Sequence, residues 1–164
     1  MLQSVVRRSG FAAFLVALCC QPVAAQGSLP EKLVAKQKWT MSAPRGQQPP
    51  DCVETWTFGP HGQMTVQSGA ETVTQAWRVD EEKGPVSLYL RRLSSTGGAD
   101  CLGTDRGTVS EPETDEGSPL WVLEFNSGDT MLLCNPQYVI DDKTKKQMPL
   151  YGDAACWGEL KPVQ

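Results

Sequence analysis

The sequence is poor in the residues that most often carry catalysis or bind metals. It contains one histidine, His61, and no two of its six cysteines have the C-x-x-C spacing of a zinc site. It also lacks a Gly-x-Ser-x-Gly elbow, a phosphate-binding loop and a His-Glu-x-x-His helix. Because His61 stands in a Gly-Pro-His-Gly turn, we interpret it as a solvated turn residue. These absences predict a protein that is not an enzyme and that holds neither a metal nor a cofactor.

Positive charge is also scarce. The chain has 15 basic and 19 acidic side chains, and its densest basic cluster is Lys143-Thr144-Lys145-Lys146. Nucleic-acid binding depends on neutralising phosphates with Lys and Arg, so nucleic acid is not an expected partner. The acidic run from Glu111 to Glu116 lacks the Asp-x-Asp-x-Asp-Gly spacing of a calcium loop. We interpret this run as a solvated loop.

The N-terminus holds a long apolar run, but it is too short to cross a bilayer. An arginine pair precedes Phe11 to Leu18, and small residues end at Ala25, which is the pattern of a secretory signal peptide. A membrane span needs ~20 apolar residues. We expect a signal peptide at 1–25, one domain at 26–164, and a periplasmic or secreted monomer. A membrane anchor, or lipidation at the cysteine pair 19–20, is the less favoured alternative.

Four cysteines remain after the expected cleavage. In an exported domain an even number of cysteines indicates disulfides, here two, with three pairings to choose from. We favour Cys134 with Cys156, because their strands should be neighbours, which leaves Cys52 with Cys101. A pairing of Cys52 with Cys156 is nearly as good.

Helix-period patterns are missing over most of the chain, whereas runs rich in Thr, Val and Trp alternate with Gly and Pro turns. This pattern predicts an all-β domain, most clearly in the meander from Cys52 to Val79. Eight strands are predicted, near 33–41, 52–58, 63–68, 71–79, 86–92, 120–125, 129–134 and 154–161. A short helix over Pro30 to Lys36 is an alternative, and the loop 135–153 can hold a short helical turn around Asp141 to Lys146.

Reversal of direction at each strand brings the long loops together. One rim then carries all four cysteines and the loops 42–51, 93–119 and 135–153. The other end carries the short turns 59–62, 80–85 and 126–128. Two disulfides would staple the first rim, and loops fixed by a rigid scaffold often carry binding sites. Eight strands in this order predict an antiparallel up-and-down barrel, with an open β-sandwich as the alternative.

The strand count, the strand order and the early tryptophan Trp39 resemble the lipocalin-like barrels. Lipocalins carry Gly-x-Trp in the first strand, where this chain has Gln37. The chain is also similar to the small exported bacterial barrels that inhibit proteases, which share an early tryptophan and disulfides. These resemblances imply a binding protein, for a small ligand in the first case and for a protein in the second.

Five tryptophans fall in five predicted strands, so several can point into one interior. They either fill that interior or line a mouth with a few polar groups, as in many small-molecule pockets. The candidate site for a small amphipathic ligand comprises Trp39, Glu54, Trp56, Gln75, Trp77, Leu90 and Arg92. The alternative interpretation of Glu54 and Arg92 is an internal ion pair, or a position at the rim that reaches water. We expect this ligand, or alternatively a protein partner, at the cysteine-bearing rim.

Overall fold

The computed structural model describes residues 27–42, 52–82, 84–115, 117–125, 130–149 and 156–164. The expected signal peptide and the expected turn at 126–128 lie outside these residues. The described residues form one α-helix, α1 (Leu29–Lys36), and ten strands. The strands are β1 (Lys38–Ser42), β2 (Val53–Phe58), β3 (Gln63–Ser68), β4 (Glu71–Asp80), β5 (Ser87–Ser95), β6 (Leu120–Phe125), β7 (Thr130–Cys134), β8 (Tyr138–Ile140), β9 (Gln147–Pro149) and β10 (Cys156–Pro162).

Eight of these strands close into an antiparallel barrel. Its order is β1-β10-β7-β6-β5-β4-β3-β2, so β1 pairs with β10 on one side and with β2 on the other. Chain neighbours are therefore sheet neighbours, except where β8 and β9 form a separate two-stranded sheet. The prediction of an up-and-down eight-stranded barrel is confirmed, and the sandwich alternative is wrong.

The barrel wall between β5 and β6 is formed only in part by regular pairing. β6 pairs with β5 at Ser87 and Leu88. Farther along β5, the irregular segment that follows it turns back along the same strand. There Gly117 donates its backbone N–H to the Leu90 carbonyl, and Glu113 donates its own to the Arg92 carbonyl. The predicted loop 93–119 is thus partly a continuation of β5 and partly a strap along its edge.

Residues 29–36 form a helix where the first strand was predicted to begin. Pro30 lies in the first turn, where its missing N–H costs no hydrogen bond, and the Glu31 carboxylate accepts a hydrogen bond from the Ser28 N–H. The helix ends at Gln37, whose φ of 58° is left-handed. The prediction of a strand over 33–41 is therefore wrong for its N-terminal half, and the alternative helix is confirmed.

Helix α1 closes the lower end of the barrel, the end at which β1 begins. Its buried side chains, Leu29 and Leu33, are one helical turn apart and join the barrel core. The Trp39 indole donates its N–H to the Leu33 carbonyl at 3.1 Å. One end of the interior is therefore sealed by this chain's own residues.

Both favoured disulfides are present. Cys52 bonds Cys101 and Cys134 bonds Cys156, with Cα atoms 5.0 and 3.8 Å apart. The strand directions put both at the upper end, the end at which β2 and β10 begin and β7 ends. Disulfides of this kind are typical of oxidising compartments outside the cytoplasm. None of the described helices is long and apolar enough to span a membrane.

The connection from β7 to β10 contains a hairpin that the sequence interpretation missed. β8 and β9 pair antiparallel, with Tyr138 opposite Pro149, Val139 opposite Met148 and Ile140 opposite Gln147. Residues 142–144 form the turn between them. The prediction of a loop is therefore wrong where β8 and β9 lie. A single helical turn is present within Asp141 to Lys146, since the Lys145 N–H donates to the Asp141 carbonyl at 2.8 Å.

Candidate functional site

The three tryptophans of the predicted ligand site are core residues. Trp39, Trp56 and Trp77 are 0%, 4% and 9% exposed. Phe58 lies between two of them, with its ring centroid 6.2 Å from that of Trp56 and 5.3 Å from that of Trp77, edge-on in the second contact. Such tilted and edge-on contacts are favourable aromatic packing. These side chains fill the lower interior, as one of the two interpretations proposed.

The fourth and fifth tryptophans lie elsewhere. Trp121 is 2% exposed but belongs to a second cluster with Cys134 and Cys156, whereas its neighbour Val122 joins the main core. Because successive side chains alternate across a strand, Trp121 is on the outer face of the barrel, beneath a disulfide. Trp157 packs at the edge of the core, and its indole N–H donates to the Asn135 side-chain oxygen.

The polar members of the predicted site lie higher in the barrel and are partly exposed. The Glu54 carboxylate accepts a 2.9 Å hydrogen bond from the Trp56 indole. Gln75 and Arg92 are opposite one another on β4 and β5, next to an irregularity in the pairing. Leu90 is paired with Trp77, two residues farther down both strands. Glu54 thus bonds a tryptophan, and no ion pair joins it to Arg92 in the described part of the chain.

Two buried polar atoms of this group lack partners. Neither Gln75 Oε1 nor Arg92 Nε forms a hydrogen bond with the described residues. An unsatisfied buried donor or acceptor costs about 1–3 kcal/mol, so both atoms would gain from a polar partner. Above it, the buried Glu71 carboxylate is satisfied, since it accepts a 2.6 Å hydrogen bond from the Ser95 hydroxyl.

The other titratable candidates do not form a common site. His61 is exposed in the lower turn, with a left-handed φ of 73°, at the end opposite both disulfides. The described acidic residues of the run that begins at Glu111 are exposed on the strap. Over the ranges that the structure covers, no three His, Cys, Asp or Glu side chains are grouped to hold a metal ion.

The upper end carries instead an exposed apolar hairpin. Tyr138, Val139, Ile140 and Met148 of the hairpin β8–β9 are 52%, 43%, 68% and 48% exposed. The Tyr138 ring packs edge-on against Trp121 at 5.2 Å, so its face of the hairpin is turned toward the barrel wall. Val139 and Met148 are opposite one another and, by alternation, lie on the other face. The apolar run Tyr138–Ile140 is the sequence feature that could have indicated this strand.

The hairpin also presents backbone groups for pairing. The Asp141 N–H donates to the Lys146 carbonyl at 3.0 Å, which makes this residue pair a hydrogen-bonded one. Hydrogen-bonded and non-bonded pairs alternate in antiparallel ladders, so the N–H and C=O of Ile140 and Tyr138 point away from β9. Pro149, which has no N–H, is opposite Tyr138 as this alternation requires. Among the described strands β8 pairs with β9 alone, so its other edge is open to a partner strand.

The turn of the hairpin is held by Asp141. Its carboxylate accepts hydrogen bonds from the Thr144 hydroxyl at 2.7 Å and from the Thr144 backbone N–H at 2.6 Å. These two hydrogen bonds hold the pKa of the Asp141 carboxyl below its usual range. The bond from the Thr144 hydroxyl has the larger effect, and the bond from the Thr144 backbone N–H has the smaller one. The ionised form of Asp141 thus stabilises the turn that presents β8.

Comparisons with protein-family models, with curated proteins and with solved structures each return no match. The closed eight-stranded antiparallel barrel is the part of the expected likeness to lipocalins that the structure shows.

Proposed function

We propose that this protein is an exported, non-catalytic interaction module that binds a partner polypeptide through the hairpin β8–β9. The observation that carries the proposal is the exposure of four large apolar side chains on this short hairpin. Contiguous exposed apolar surface is typical of protein-binding sites. The lower interior is occupied by tryptophans and sealed by α1, which leaves the surface of the upper end as the better place for binding.

The hairpin suits an extended partner segment. A partner strand that pairs with the edge of β8 gains main-chain hydrogen bonds, and apolar side chains beside that edge add specificity. The Cys134–Cys156 disulfide closes the chain around the hairpin, and the Tyr138–Trp121 contact fixes its base. A preordered surface loses less conformational entropy on binding than a flexible loop.

Site-specific photocrosslinking in the producing cells tests this proposal. A benzophenone amino acid replaces Ile140 in one variant and His61, exposed at the opposite end, in the matched control. We expect a discrete protein adduct from position 140 that the control does not give. Adducts of equal yield at both positions, or none at position 140, would contradict binding through the hairpin.

A secreted protease is the first partner class to test, because the early tryptophan and the disulfides are similar to those of small exported barrels that inhibit proteases. Inhibition by the wild-type protein that is lost on replacing Val139 and Ile140 by serine would identify such a partner. Inhibition that survives both substitutions would place the contact elsewhere.

A small amphipathic ligand in the upper barrel is the second candidate function. The buried, unpartnered Arg92 Nε favours it, since a carboxylate head group would accept a hydrogen bond from it. Titration with an alkyl carboxylate, followed by tryptophan fluorescence, should give a saturable change that Arg92→Met abolishes. Arg91→Met is the matched control, because Arg91 is on the outer face, opposite Ala76. A flat titration, or equal loss in both variants, would count against a ligand site.

A further inference from the structure

A separate feature lies at the lower end of the barrel, where α1 meets the turn between β4 and β5. A cleft of about 430 Å³ opens there. Leu29 of α1, the turn residues Glu81, Gly84, Pro85 and Val86, and Val122 and Leu123 of β6 line it. None of the described residues that line the cleft belongs to the hairpin, so an inference from it does not depend on the proposed function. Its volume lies within the range of about 300–1,000 Å³ that is usual for small-molecule sites.

The chemistry of the lining is simple. Among the described residues that line the cleft, Glu81 is the one ionisable side chain, and the others are aliphatic, proline or glycine. The Leu29 backbone N–H donates to one Glu81 carboxylate oxygen at 2.8 Å, which holds the carboxylate beside the first turn of α1. The surrounding sequence Asp80-Glu81-Glu82-Lys83 carries three acids and one base.

We propose that this cleft binds a small molecule composed of an alkyl or aromatic group and a single ammonium group. The apolar part lies against Leu29, Val86 and Val122, where its transfer from water is favourable. The ammonium donates to the Glu81 carboxylate, and a hydrogen bond between two charged groups is stronger than a neutral one. A carboxylate of the same shape is repelled by the same acids, so the charge of the ligand decides its affinity.

Three probes of one shape and different charge test this inference. Phenethylamine, phenethyl alcohol and hydrocinnamate are each titrated into the full-length folded protein, followed by amide NMR. We expect shifts at Gly84, Val86 and Val122 with the amine, an affinity for the amine about three- to fivefold above the alcohol, and weaker binding still of the carboxylate. Equal affinities for amine and carboxylate, or shifts confined to other parts of the barrel, would overturn the proposal.

Two substitutions locate the charge that matters. Glu81→Gln keeps the shape and an acceptor for the Leu29 N–H but removes the charge, so the preference for the amine over the alcohol should disappear. Glu82→Gln is the matched control, since Glu82 is an exposed acid outside the lining, and it should keep that preference. If both variants keep it, or both lose it equally, Glu81 is not the recognition group and the proposal fails. If Glu81→Gln unfolds the protein, the amide shifts of the wild-type protein with the three probes decide whether the amine binds in this cleft.

Discussion

Replacement of Leu33 by alanine tests whether α1 is part of the barrel core. Leu33 is 1% exposed and sits under the lower end of the barrel, where its backbone carbonyl accepts the Trp39 indole N–H. Alanine keeps that backbone hydrogen bond and is the best helix former, so the loss is one of packing. Truncation of a buried leucine to alanine costs about 2–5 kcal/mol, and we expect a value near 3 kcal/mol.

The assay is urea and thermal unfolding followed by tryptophan fluorescence. For a domain of this size, a loss of about 3 kcal/mol lowers the melting temperature by roughly 10 °C. Leu102→Ala is the matched control, because Leu102 is 50% exposed and its truncation should change stability by less than about 0.5 kcal/mol. A loss below about 1 kcal/mol for Leu33→Ala would refute the statement that α1 seals the barrel.

Two further predictions concern the upper end. Replacing both Cys134 and Cys156 by serine should cost about 3.4 kcal/mol from chain entropy alone, given their separation of 22 residues; urea unfolding that shows a loss below ~1 kcal/mol would contradict this. Thr144→Val should raise the pKa of Asp141 toward its ordinary value, as NMR titration of the carboxyl would show. Because the folded pKa is lowered, the contribution of Asp141 is present above the usual aspartate pKa and is lost as pH falls through the folded value. An unchanged Asp141 pKa in Thr144→Val would exclude the hydroxyl as its cause.

The barrel was predictable because its strands carry local signals. β3 alternates strictly between exposed and buried residues, and the turns on either side contain glycine. Strand order favoured the Cys134–Cys156 pairing without excluding Cys52–Cys156, and the ends of β7 and β10 are neighbours in the structure. The first strand was predicted to begin too early, at residue 33, because Leu33, Ala35 and Gln37 also fit a strand alternation. The competing signals, Pro30 and Glu31 after Ser28, are specific to a helix start.

The functional surface was harder to predict because it depends on tertiary placement. The apolar run at 138–140 is exposed on both faces, so it has no alternation by which a strand is recognised. The sequence left open which of the five tryptophans share an interior, and β6 places Trp121 outside, beneath a disulfide. The lower cleft exists only because α1 docks beside the β4–β5 turn, which no local pattern encodes.

The equilibrium affinity of the crosslinked partner for hairpin variants tests the central claim most directly. Val139→Ser combined with Met148→Ser removes two apolar side chains from the outer face of the hairpin. If burial of each contributes about 1 kcal/mol, binding weakens roughly thirtyfold. Val53→Ser is the matched control, since Val53 is 48% exposed at the same end of the barrel, and it should bind like the wild type. Unchanged affinity of the hairpin variant, or equal weakening by Val53→Ser, would contradict binding through the hairpin β8–β9.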